Sequence, residues 1–515
     1  MALLRSAATI GLWTLASRVL GFLRDMLTAI FLGAGPVADA FFVAQRLPNL
    51  FRSLFAEGAF NAAFVPLFAG MMATEGTAAA RRFAEDALAV LVTVLLLFVI
   101  AAEVFAPALV RVIAPGFAED PEKFALTVAL TRITFPYLLY ISLASLQGGV
   151  LNSVGRFAAY AATPTLLNVF MIAALLLVRP INGQVLAWAV TAGGFAQFAW
   201  LMVSCQRAGL PLSLPRPRLT PEVRKLLRLM GPGAFGAGVT QLNLAVSTAI
   251  ASLLPTGAVS YLYYADRLNQ LPLGVVGIAV GTAILPALSR QVRTGDEAGA
   301  TATQNRGLEL ALLLTLPAAI GLGVLARPIL ATLFQHGAFG PAETVATGNA
   351  LAAYALGLPA FVLVKILAPG FFARHDTKTP VMIAAGALIA NAALTVLLGL
   401  VLPFAHVGVA SATTIAGWIN ASLLVALLSR RGHFTLDQRA RRSLPRILAA
   451  AIGMGLLLLA LERWLAAPLA GDLIHRVTAL AALLLAGVAS FALLTILLGG
   501  IPWREALARL RRQAA

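Results

Sequence analysis

Four arginines, Arg18, Arg24, Arg46 and Arg52, and three acids, Asp25, Asp39 and Glu57, lie in one otherwise apolar stretch, SRVLGFLRDMLTAIFLGAGPVADAFFVAQRLPNLFRSLFAEGAFN, residues 17–61. A charge at the middle of a bilayer costs roughly 2.5–3.5 kcal/mol on insertion scales. Four arginines facing lipid would together cost on the order of 10 kcal/mol, so they must face water, one another or an anion. Seven residues separate Arg18 from Asp25 and Ser17 from Arg24, which sets each pair on one face of a helix. In the next segment Asp39, Arg46, Ser53, Glu57 and Asn61 form one polar stripe, and Asp39, Arg46 and Glu57 are expected to pair along it. Arg52 is off the stripe of a straight helix, but Pro48 can kink or unwind the chain between Arg46 and Arg52. Gly21 is the corresponding bending point between Arg18 and Arg24. Complete pairing would merely glue two helices together, yet four arginines against three acids leave at least one positive charge over. The chemistry favoured is anion binding, and the planar guanidinium fork suits phosphate because it donates two parallel hydrogen bonds.

The elements that position these residues must be membrane helices. The chain has 515 residues, of which 60% are hydrophobic and 11% charged, with a mean hydropathy of +0.89. A soluble domain carries about 25% charged residues. A span needs about 20 mostly apolar residues, and about fourteen such segments follow one another, among them 8–32, 37–70, 226–253, 257–289 and 379–401. Continuous apolar runs of this length lack the alternation of a barrel, so the fold class expected is an all-α polytopic membrane protein. The N-terminal run reads as a retained first span, because arginines interrupt it and no clear small-residue cleavage site follows. The single cysteine, Cys205, excludes an intramolecular disulfide.

The net charge of +17 is topogenic and does not point to nucleic acid. With both termini placed in the cytoplasm, 25 of the 38 lysines and arginines fall on the cytoplasmic side and 5 on the other. That bias is a strong positive-inside signal, and it favours an even number of spans. Two longer cytoplasmic connectors, one proline-rich and one arginine-rich, divide the chain. The expected organisation is a first lobe over 1–206, a linker over 207–225, a second lobe over 226–428, a linker over 429–443, two further spans over 444–500 and a basic tail over 501–515.

A repeat joins the two lobes. Ala44-Gln45-Arg46-Leu47 returns as Ala265-Asp266-Arg267-Leu268, Phe135-Pro136 as Leu358-Pro359, and Asn168 as Asn391, all at an offset near 220. The offset covers six spans, so the copies share one orientation, as in transporters made of two parallel bundles with a substrate site between them. Arg267, in SYLYYADRLNQLPLGVVGIAVGTAILP, then corresponds to Arg46 and faces the same cavity. The plainer alternative is an Asp266–Arg267 pair at a bundle interface. The five histidines lie in loops or at span ends without metal-ligand spacing, and no Walker loop, catalytic triad or paired-carboxylate site occurs. The sequence thus implies no enzyme, cofactor or metal.

The stretch from Ser17, together with YYADRLNQLPLGVVGIAVGTAILP, resembles the MurJ/MviN family of bacterial lipid II flippases, within the multidrug/oligosaccharidyl-lipid/polysaccharide exporter superfamily. The resemblance covers essentially the whole chain. It implies two six-helix lobes plus two C-terminal helices, alternating access, and residence in the bacterial cytoplasmic (inner) membrane. It implies that lipid II, the undecaprenyl-pyrophosphate-linked muropeptide of peptidoglycan, is the substrate, with membrane lipids and the cell-wall synthesis machinery as further partners. Carried over by motif, Arg18, Arg24, Arg52 and Arg267 bind substrate, while Ser17, Asp39, Glu57 and Ser260 match other functional positions and Arg46 and Asp266 support the cavity. Some family members place acids in spans 7 and 11 to hold sodium. Neither 226–253 nor 379–401 contains an acid, so the membrane potential or a proton is the expected driving force.

Two other readings compete. An exporter of cationic drugs would line its cavity with acids, whereas this one is net basic; an exporter of another polysaccharide-lipid precursor would not differ in that way. A non-transporting membrane scaffold would need no unpaired charge within its spans.

Overall fold

The computed structural model describes residues 2–55 and 59–500. Glu57 and the basic tail over 501–515 lie outside the described residues. Among those described, every regular element is helical. A chain in lipid must satisfy its backbone polar groups within each segment, and helices do so. The helices are α1 (Ala2–Leu32), α2 (Pro36–Phe55), α3 (Ala59–Thr74), α4 (Thr77–Val104), α5 (Ala106–Ile113), α6 (Pro121–Thr134), α7 (Tyr137–Ser153), α8 (Phe157–Leu177), α9 (Gly183–Arg207) and α10 (Pro221–Ser252). They continue as α11 (Ala258–Arg293), α12 (Glu297–Val324), α13 (Ala326–Leu333), α14 (Pro341–Ala355), α15 (Leu358–Phe372), α16 (Lys378–Val396), α17 (Ala405–Arg430), α18 (Gln438–Trp464), α19 (Ala466–Leu469) and α20 (Leu473–Leu497). Ten helical stretches among the described residues are long and apolar enough to cross a membrane, with α6–α7 and α14–α15 each counted as one.

Caps fix several starts. Asp120 accepts from the backbone N–H groups of Glu122 and Lys123, both at 3.1 Å, and Pro121 opens α6 at a position that needs no donor. Asn182, Asp296, Asp437 and Asp472 cap α9, α12, α18 and α20 in the same way. Within the expected segment 37–70 the described residues are helical, in α2 up to Phe55 and in α3 from Ala59. Pro48 lies inside α2, which runs through it, and α1 is unbroken at Gly21.

The chain divides into two compact units, one over Met1–Ser260 with Gly337–Phe339, the other over Tyr261–His336 with Gly340–Ala515. In the first, α8 packs against α1 and α9, α7 against α9, and α2 against α6, while α10 lies on α2 and α3. Phe64 anchors its interior, stacked on Phe60, Phe68 and Phe83 with ring centroids 5.2–5.7 Å away. In the second unit α17 packs on α14, α15 and α16, and α12 on α15 and α18, with α20 against α18. Large apolar side chains point outward from α20, such as Leu485 at 71% exposure and Val488 at 72%. That pattern suits lipid, which gives leucine no reason to hide.

The duplication recurs in the helix limits. Helix α4 spans 77–104 and α12 spans 297–324, a shift of 220 at both ends; α5 spans 106–113 and α13 spans 326–333, the same shift. The breaks between them match as well: Phe105 has φ −91° and ψ 13°, Leu325 φ −90° and ψ 15°.

Candidate functional site

Helix α1 presents its charges differently along its length. Arg18 is exposed and makes no hydrogen bond or ion pair among the described residues. Six residues on, Arg24 is buried at 8% exposure. Its Nε and Nη2 donate to Asp25 Oδ1 at 3.0 and 2.8 Å, and its Nη1 donates to Asn168 Oδ1 of α8 at 2.9 Å. Asn168 in turn donates through Nδ2 to the carbonyl of Ser17 at 3.0 Å. The 17/24 face expected from heptad spacing is therefore the face that meets α8. Gly21 belongs to it: a Cβ there would lie 3.5 Å from the Asn168 amide, an ordinary van der Waals contact.

Asp39, at the start of α2, is 1% exposed and fully bonded. Its Oδ2 accepts from Lys123 Nζ at 2.9 Å and from the Gly257 backbone at 2.8 Å. Its Oδ1 accepts from the Ser260 backbone at 3.0 Å and from Ser260 Oγ at 2.6 Å. The carboxylate thus sits on the first turn of α11, where unsatisfied N–H groups and the helix dipole favour an anion. Lys123, 6% exposed, also lies 4.1 Å from the centroid of the Phe117 ring, a cation–π contact. A buried pair is tolerable when its remaining bonding capacity is met, as it is for this carboxylate. The expected pairing of Asp39 with Arg46 is corrected accordingly. Asp39 bonds to α6 and α11, while Arg46, half-buried, donates through Nη1 to Thr248 Oγ1 of α10. Glu57 lies outside the described residues.

Arg52 is half-buried, and the nearby Ser53 turns its hydroxyl onto the Leu50 carbonyl at 3.1 Å. In the second unit Arg267 is half-buried, donates through Nη2 to Tyr263 Oη at 3.1 Å and stacks over the same ring at 4.9 Å. Asp266 accepts from Gln270 one turn on. Within the first unit the arrangement joins Ser17, Arg24, Asp25 and Asn168 into one cluster and Asp39, Lys123 and Ser260 into another. The Arg18 guanidinium makes no bond among the described residues, and Arg24 is paired with Asp25.

Three participants escaped the sequence. Lys123 reads there as a loop lysine, Thr248 gives no signal, and Asn168 appears only as a repeat match. The spacing of Asp120-Pro121 before Lys123 marks a helix start and so could have placed the lysine on a helix.

Comparison with known proteins adds an independent line. Residues 28–478 match the family model described as lipid II flippase MurJ. A probable lipid II flippase MurJ of Rhizobium meliloti (strain 1021) is 48% identical over 510 residues, covering 97% of this chain and 95% of that protein. A lipid II flippase MurJ of Burkholderia cenocepacia is 38% identical over 477 residues, covering 90% of each. Among solved structures, a lipid II flippase MurJ in an inward closed conformation aligns with a TM-score of 0.79 at 26% identity over 97% of this chain and 99% of the other. An inward-facing multidrug transporter of the MATE family aligns with a TM-score of 0.68 at 12% identity over 80% of this chain and 94% of the other, a likeness of fold alone.

Proposed function

This chain belongs to the MurJ family of lipid II flippases, a family of transporters and not of enzymes, and from that premise we propose that it moves lipid II from the cytoplasmic to the periplasmic leaflet of the bacterial inner membrane. Arg18, Arg24, Arg52 and Arg267 supply the charge that binds the pyrophosphate. The observation that carries this reading is Arg18, an exposed guanidinium without a partner among the described residues, on a helix of a membrane protein. Such a charge is costly in lipid and is accounted for by a hydrated site and an anionic ligand.

The proposed architecture is fourteen spans in two six-helix lobes with two further helices, both termini cytoplasmic. Transport then follows alternating access. The pyrophosphate is held by the arginines while the polyprenyl tail stays in lipid, and the lobes exchange states according to the difference in substrate affinity between them. Asp39, Lys123 and Ser260 hold the starts of α2 and α11 in the state seen here. Ser17, Arg46, Glu57 and Asp266 support the same cavity.

The test is complementation of a flippase-depleted strain, read by the accessibility of lipid II on the outer leaflet. The wild-type chain should restore it. Arg18→Ala and Arg267→Ala should insert normally and fail to translocate. Full complementation by Arg18→Ala would remove the basis of the site assignment.

A further inference from the structure

A cleft of about 500 Å³ opens in the first unit among α1, α7, α8 and α9. It uses none of the residues assigned above. Trp13 comes from α1, Arg156 precedes α8, Ala159 and Ala162 lie on α8, and Trp200 and Arg207 lie on α9. No acid lines it. Arg156 donates one N–H to the Arg207 carbonyl at 3.1 Å. A guanidinium has five donors, so most of those on Arg156 stay available, and the Arg207 guanidinium bonds to nothing among the described residues. Trp200 donates its Nε1–H to the Ala159 carbonyl at 3.1 Å. That bond fixes the ring and satisfies its one polar atom, leaving an apolar wall.

Two cations, two indoles and three alanines give the recess an amphipathic lining. Tryptophan gathers at the membrane–water interface, and basic pockets between spans on the cytoplasmic side bind the head groups of anionic lipids. The volume lies within the range that holds small ligands. Helix α9 ends and α8 begins on the side that the positive-inside bias assigns to the cytoplasm, an orientation shared with the proposed function.

We propose that this cleft is a binding site for an anionic phospholipid of the cytoplasmic leaflet. Its phosphate meets Arg156 and Arg207, and the upper part of one acyl chain lies along Trp13, Trp200 and the α8 alanines.

The purified full-length chain, delipidated and equilibrated with equimolar phosphatidylglycerol and phosphatidylethanolamine, provides the test by native mass spectrometry. The expected result is one retained phosphatidylglycerol, favoured at least about tenfold over phosphatidylethanolamine. Arg156→Ala combined with Arg207→Ala should abolish that preference, a loss of about tenfold or more. Arg18→Ala should retain it, so the lipid site and the transport site fail separately. Equal retention of the two lipids by the wild-type chain overturns the proposal whatever the variants do. Displacement of phosphatidylglycerol by an equimolar polyprenyl diphosphate also overturns it, because the cleft would then belong to the transported lipid.

Discussion

The two copies of the repeat agree from α4 and α12 onward and part company before them. Helices α4 and α5 recur as α12 and α13 with identical lengths and a matching break. Upstream, α1 and α10 are also alike in length, at 31 and 32 residues. Yet α1 carries Arg18, Arg24 and Asp25, whereas the positions 220 residues later are Gly238, Leu244 and Ala245. Shared helix lengths are the signature of a duplicated scaffold. The charges of α1 have no counterparts 220 residues on, whereas Arg46 of α2 recurs as Arg267.

The largest effect should come from testing that asymmetry directly. Arg18→Ala removes an open guanidinium worth up to two charge-assisted bonds to phosphate, so translocation should fall on the order of a hundredfold or more. Arg267, which already bonds and stacks on Tyr263, should cost less when changed to lysine, a substitution that retains the charge but loses the planar fork. Initial rates of lipid II appearance on the outer leaflet compare the two. An Arg267→Lys loss equal to that of Arg18→Ala would mean that both copies contribute alike.

Asp39 breaks the comparison at the fold. Its counterpart near the start of α11 is Ser260, which bonds to it. Asp39→Ala leaves the buried Lys123 ammonium without its carboxylate and should destabilise the protein by about 3–5 kcal/mol, seen as a lowered melting temperature in detergent. Adding Lys123→Met should recover part of that loss. No recovery in the double variant would mean that the bonds to α11, and not the ion pair, supply the stability.

Residues 17–61 show what a sequence can and cannot reveal here. Charge within an apolar run signals a site, because lipid makes such charge expensive. The sevenfold spacing of Ser17 and Arg24 placed both on the α8 face. The duplication was readable from one tetrapeptide and two shorter matches and recurs in helix limits. Partner choice was not readable. Helical geometry aligned Asp39 with Arg46, but the carboxylate bonds to Lys123, 84 residues on, and to Ser260, 221 residues on. One chain's periodicity holds no information about which distant helix supplies a donor. Pro48 lies inside α2 and Gly21 inside α1, and neither interrupts its helix.

A smaller test uses two loop glycines. After α5, a Cβ on Gly116 would lie 2.2 Å from the Ser252 carbonyl at the end of α10. After α13, a Cβ on Gly337 would lie 2.4 Å from the Ile30 carbonyl near the end of α1. The overlaps are alike, but Gly337 also has φ +58°, in the left-handed region. Each alanine substitution should destabilise by about 1–3 kcal/mol, with Gly337→Ala worse by about 1–2 kcal/mol for its backbone alone. Melting temperatures that rank the other way would show that the first copy's loop has less room to yield.

The smallest effect concerns what only the second copy holds. Arg306 bonds to Glu309 and to Asp437, and Glu309 accepts from Ser443 Oγ at 2.6 Å, with Arg439 3.5 Å away. This polar cluster fastens α18 to α12. The matching positions on α4 are Asp86 and Ala89, which cannot build it. Burial alone would raise the Asp437 carboxyl, but the Ala440 N–H and the Arg306 guanidinium outweigh it, and the group lies below its ordinary value. A carboxyl lowered on folding stabilises fully above its unfolded pKa, about 3.9, and that contribution is lost as pH falls through the folded value. Asp437→Asn keeps an N-cap acceptor while removing the charge. It should cost about 1 kcal/mol at pH 7, kept small because both partners are about one-third exposed. Melting temperatures of wild type and variant should stay apart above about pH 3.9 and converge as pH falls below it, through the lowered folded value, if the charge is what matters. A gap that does not narrow below about pH 3.9 would instead assign the loss to packing around α18, leaving the copies distinguished by shape and not by charge.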